Sequence, residues 1–121
     1  MIRKIFLLCA ALALTASFAH AQSESHAVKV TGYVVDNMCA GSHTTEAKAK
    51  EHTTSCALMP GCSESGFTVV SGDTTYKLDD NGSKLARGIL KGTHTKKGVK
   101  VEVEGTLEGN TLHADKITEV S

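Results

Sequence analysis

The sequence predicts an all-β fold: a small five-stranded barrel with a helical Cys/His loop inserted between strands one and two. Three observations predict it. Strand-like segments recur at 28–35, 67–70, 74–78, 99–103 and 111–120, the first and fourth with the apolar/polar alternation of half-buried strands. Hairpin turn chemistry joins them in pairs, at Ser71-Gly72-Asp73 and at Glu108-Gly109-Asn110. Good helix formers behind hydroxyl caps fall in the long connection after the first strand.

The amino terminus has the pattern of a signal peptide over residues 1–21. Arg3 and Lys4 form a short positive region, Ile5 to Ala16 an apolar run too short to span a bilayer, and Ala19-His20-Ala21 a small-x-small cleavage signal. Cys9 lies inside the apolar run and is expected to leave with it. The mature chain then starts at Gln22, is exported to the periplasm or secreted, and keeps no stable membrane span. Residues 22–27 are polar and expected to be disordered, and residues 28–121 form the barrel domain.

Within the domain, Val28 to Val35 reads as a strand in which Gly32 marks a bend or a close backbone approach. A helix is predicted from Thr44 or Thr45 through His52 toward Cys56, stopped by Pro60-Gly61. Phe67–Val70 and Thr74–Leu78 form the first hairpin. Asp79-Asp80-Asn81-Gly82 reads as a turn, after which Ser83 caps a brief helical turn with Leu85 and Ile89 on one face. Val99, Val101 and Val103 alternate with charged residues in the clearest strand. The last strand places Leu112 and Ala114 on one face and Ile117 on the other, which predicts a bulge near Asp115-Lys116. Five strands with a helix between the third and fourth is the order of an oligonucleotide/oligosaccharide-binding (OB)-like barrel, a closed form that leaves no exposed edge.

Composition narrows the function. Loss of Arg3 and Lys4 leaves 11 basic against 13 acidic residues, a formal net charge of −2 that points to no polyanionic partner. Tyr33, Phe67 and Tyr76 are the mature aromatics and there is no Trp, so stacking surfaces for bases or sugars are scarce, which argues against nucleic acid as a ligand. Lys84, Arg87, Lys91, Lys96, Lys97 and Lys100 form a run without an acid, which reads as a solvated face or, less favoured, a site for an anionic polymer. No recognisable catalytic motif occurs, so the chain is read as a non-enzyme.

Cys39, Cys56 and Cys62 are an odd set in an oxidising compartment. Three readings stand. In the first, a structural disulfide leaves one spare thiol, with Cys39 and Cys62 the favoured pair because that bridge fastens the loop to the barrel and leaves Cys56 beside His52. In the second, Cys39, His52, Cys56 and Cys62 bind a transition metal, His52 and Cys56 standing one turn apart on a helix. Zinc suits a Cys3His set. Copper suits it too, because Met38, His43 and Met59 surround the thiols with soft sulfur and imidazole. In the third, one thiol is redox-active or attaches a cofactor, although C-x-x-C and C-x-x-C-H are both absent. Asp36 is read as a ligand or a cap, capping being the commoner role.

The stretch Val30-Thr-Gly-Tyr-Val-Val-Asp-Asn-Met-Cys39, then His52, Cys56 and Cys62, then Gly98 to Leu107, resembles a family of small exported bacterial proteins without assigned function. Its members are similar in a G-x-V-x-D-x-x-C start, a His shortly before a Cys, a further Cys and a V-x-V-x-G hairpin. The four-residue step from His52 to Cys56 is wider than the family's spacing. The resemblance implies a small OB-like barrel and no particular activity. The functional expectation is an exported binding or adaptor domain whose Cys/His loop binds metal, its partner protein unknown. The competing expectation is a disulfide-stapled structural or interaction module without ligand.

Overall fold

The computed structural model describes residues 25–121. The signal segment expected over residues 1–21, with Cys9, and residues 22–24 lie outside the described residues. A long first strand, β1 (Ser25–Asp36), serves two partners. Ser25 to Tyr33 pair antiparallel with β4 (Lys100–Glu108), and Tyr33 to Asp36 pair antiparallel with β2 (Phe67–Ser71). The strand changes partner beside Gly32, where a Cβ would collide with the Val70 carbonyl oxygen and the Val69 side chain. The close approach expected at this glycine is therefore present, and no larger residue fits without moving backbone.

Gly72, at a φ of 59°, turns β2 into β3 (Thr74–Leu78). Then β3 meets β5 (Thr111–Glu119) in a short parallel pairing at Lys77 and Leu78, and β5 returns antiparallel along β4. The result is a closed barrel in the order β1-β2-β3-β5-β4. The bulge expected near Asp115 is found there: Gly105 faces Ala114 while Glu104 faces Lys116, so Asp115 is the extra residue.

Alternation along β4 buries Val101 and Val103, which pack with Val30, Val34, Phe67, Val69, Leu78 and Leu112 in the main core. Val35, Val70 and Ala49 form a second small cluster on the other face, beneath the loop.

Three sequence expectations are corrected. Residues 25–27 belong to β1 instead of a disordered tail; Ser25, His26 and Ala27 pair with Glu108, Leu107 and Thr106. Backbone pairing to an available neighbour strand does not require apolar side chains. The turn at 79–82 and the brief helix capped by Ser83 are instead one helix, α5 (Asp80–Gly92), capped by Asp79, whose Oδ1 accepts from Gly82 N at 2.8 Å and also from Ala114 N at 3.2 Å. Its inward stripe is Gly82, Ser83, Ala86 and Leu90, and Leu85 is exposed. Ser83 Oγ accepts the Phe67 N–H instead.

The third correction concerns the β1–β2 connection. It holds four short helices: α1 (Asn37–Ala40), α2 (Glu46–Ala49), α3 (Thr54–Ala57) and α4 (Pro60–Glu64). The single helix expected from Thr44 toward Cys56 is broken between α2 and α3. There Gly98 N donates to His52 O, Thr54 N donates to Lys96 O, and Thr53 bridges Lys97. These long-range backbone bonds override local helix propensity. Pro60 starts α4 at its first turn instead of ending a helix, the position at which its missing N–H costs nothing.

Candidate metal site in the first loop

Asp36 is the last residue of β1, opposite Phe67, and its side chain is fully buried. A buried carboxylate needs compensation. Its Oδ2 accepts the Cys39 N–H at 3.1 Å, capping α1, and its Oδ1 lies 2.7 Å from His52 Nε2. His52, 6 % exposed, is aimed inward by the break that removes it from a helix face. Donor atoms of Asp36, Cys39 and His52 all lie within 4.8 Å of one another, and this group can hold a metal ion.

His43 flanks the group. Its ring stands edge-on to His52 with centroids 4.8 Å apart, and its Nδ1 is 2.9 Å from Cys39 O. A carbonyl only accepts, so Nδ1 carries the proton in this contact.

Cys62 comes to the same place by a separate network. Asn37 N donates to Gly66 O and Asn37 Nδ2 to Ser65 O, tying α1 to the end of α4. From the other side, Arg87 of α5 donates through Nε to Ser63 Oγ at 2.8 Å and through Nη2 to Ser63 O at 2.7 Å, its guanidinium carbon 5.7 Å from the Phe67 ring centroid. These contacts fix the segment that carries Cys62.

Electrostatics tie the thiols to Asp36. Burial, then the Asp36 carboxylate, then the neighbouring thiols of Cys62 and Cys56 push the Cys39 thiol above its ordinary range. Burial and Asp36 push Cys62 up as well, while Cys39 acts on it in the opposite direction. Cys39 and Cys62 are partly buried, Cys56 is exposed on α3, and all three are free thiols.

Of the residues expected from sequence, Cys39 and His52 thus meet, Cys62 stands beside them, and Cys56 is the outermost. The helix face meant to join His52 to Cys56 does not exist, because α3 begins after His52. Asp36 proves to be both cap and cluster member. Its signal was the D-x-x-C step, which puts a carboxylate at the start of the turn that bears the thiol.

The basic run is partly consumed within the fold. Arg87 is bound to Ser63, Lys97 Nζ lies 2.7 Å from Glu51, and Lys100 lies over the Tyr33 ring. No helix among the described residues is long and apolar enough to cross a membrane. Comparison with known proteins finds no matching family model, no matching curated relative and no matching solved structure.

Proposed function

We propose that the chain is an exported, non-enzymatic domain that binds a transition metal, zinc or copper, in the first loop of an OB-like barrel. The observation that carries this reading is the convergence of a buried carboxylate, a buried imidazole and a thiol within 4.8 Å. In this reading Cys39 and His52 are ligands, Cys62 is the next, and Asp36 either ligates or holds His52 in orientation through its short hydrogen bond, the carboxylate–histidine–metal arrangement. Cys56, exposed on α3, is a peripheral thiol. The OB-like assignment draws support from the strand order and from α5 lying between β3 and β4. The resemblance of the Val30–Cys39 segment to small exported bacterial proteins is consistent with the same barrel.

Cys, His and Asp are also the residue types of a nucleophilic set, and the electrostatics speak against that use. An activated thiol has its pKa lowered by an adjacent cation. Here burial and an adjacent carboxylate raise it. A metal ion resolves the conflict, since it neutralises the carboxylate and deprotonates the thiol together.

A second reading has one observation in its favour: Cys39 and Cys62 act on each other electrostatically and both face Asp36. Under oxidation they would form the loop staple. Cobalt(II) titration of reduced mature protein separates the readings. The metal reading expects thiolate-to-cobalt charge-transfer absorption that vanishes in Cys39→Ser and weakens in His52→Ala. Absence of that band in wild type, with one titratable thiol in the protein as isolated, favours the staple.

A further inference from the structure

We propose that the site is selective for monovalent copper, with the thioethers of Met38 and Met59 completing it for that ion; this rests on the metal-site reading above. Met38 and Met59 are 67 % and 55 % exposed, whereas the other large apolar side chains are mostly covered. Both adjoin thiol-bearing elements. Met38 precedes Cys39 within α1, and Met59 is the N-cap of α4 between Cys56 and Cys62. The Met38 sulfur lies 3.9 Å from where a Cβ on Gly61 would stand, so it overhangs the turn that presents Cys62. Both methionines thus adjoin the elements that carry Cys39, Cys56 and Cys62, and the Met38 sulfur reaches the turn before Cys62.

Charge and softness select the ion. Cuprous copper prefers thiolate and thioether sulfur, whereas zinc accepts thiolate, imidazole and carboxylate. Two thiolates already outweigh a single positive charge, so a further anionic ligand would be repelled and a neutral thioether would not. Asp36 is committed to Cys39 N–H and His52. A cuprous ion on Cys39, Cys62 and His52 leaves Asp36 as the partner that orients the imidazole and takes its remaining contact from the exposed methionines. Unbranched, flexible Met side chains can reach outward to receive the ion and then close on it.

The test uses reduced, metal-free mature protein under nitrogen. Cu(I), held reduced by ascorbate, is partitioned against bathocuproine disulfonate, and Zn(II) is partitioned separately against a chromophoric chelator. In Met38→Leu/Met59→Leu, Cu(I) affinity should fall by about tenfold or more, the scale on which supporting groups tune metal sites. Zinc affinity should persist, because it draws on Cys39, His52 and Cys62 with Asp36 as ligand or support. Both methionines are exposed, so leucine keeps the fold, and an unchanged circular dichroism spectrum verifies this. Unaltered Cu(I) affinity in the double variant, or wild type that binds zinc and not Cu(I), overturns the selectivity proposal alone. Wild type that takes neither ion overturns the metal-site reading beneath it.

Discussion

His52 Nε2 stands 2.7 Å from Asp36 Oδ1, and both side chains are buried at the junction of barrel and loop. The pair links the end of β1 to the extended segment between α2 and α3, so it is structural before it is functional. Removing one partner leaves the other buried with less compensation. In metal-free protein, His52→Ala should therefore cost about 3 kcal/mol, read from urea unfolding. Adding Asp36→Asn should cost less than the sum of the two single losses, because the charge stranded by the first change is gone.

The thiols carry a pH signature. In metal-free protein, burial and the Asp36 charge oppose thiolate formation at Cys39 and Cys62. Their alkylation midpoints should lie above the ordinary thiol value of 9.0. Asp36→Asn should lower both. The sign carries over to stability. A raised folded-state thiol pKa contributes stability that is complete below the unfolded value and is lost as pH rises through the folded one, so the metal-free melting temperature should fall on the alkaline side of pH 9.0. Site-resolved mass spectrometry of the alkylated peptides measures the first effect, and a pH series of thermal melts the second.

Arg87 acts at a distance from the thiols, through Ser63. Arg87→Ala removes two hydrogen bonds that hold α4 against α5. The loss should be about 2 kcal/mol. Alkylation of Cys62 should accelerate in the variant while that of Cys39, capped by Asp36, changes little. Equal acceleration at both would mean that the loop opens as one unit.

Gly32 tests the barrel itself. A methyl there meets backbone of β2, which cannot swing aside as a side chain would. Gly32→Ala should lose about 3 kcal/mol, whereas alanine at Gly88, which has open space, should cost nothing and gain a little from helix propensity. Denaturant midpoints of the two variants give the comparison.

The barrel strands were legible because their causes are local. Period-two alternation at Val101 and Val103, turn chemistry at Gly72 and Gly109, and the face mismatch of Ala114 and Ile117 are all written within a few residues. What could not be read had a distant cause. The break at His52 depends on Lys96 to Gly98 arriving from the far side of the domain. Asp79 displaces Ser83 as the cap of α5 because it also serves Ala114 on β5. Asp36 was visible as a cap, and its place in the site follows from His52, sixteen residues on, being turned inward to meet it.

The central claim is that the first loop holds one metal ion on Cys39 and His52. Native mass spectrometry of residues 22–121, purified reduced without chelators and then given equimolar zinc, tests it most directly when combined with alkylation of the same sample. The account predicts a single bound ion, with Cys39 and Cys62 shielded from alkylation and Cys56 still reactive, and loss of the ion in Cys39→Ser. A metal-free mass in wild type, or a bound ion that survives Cys39→Ser and His52→Ala together, would contradict it.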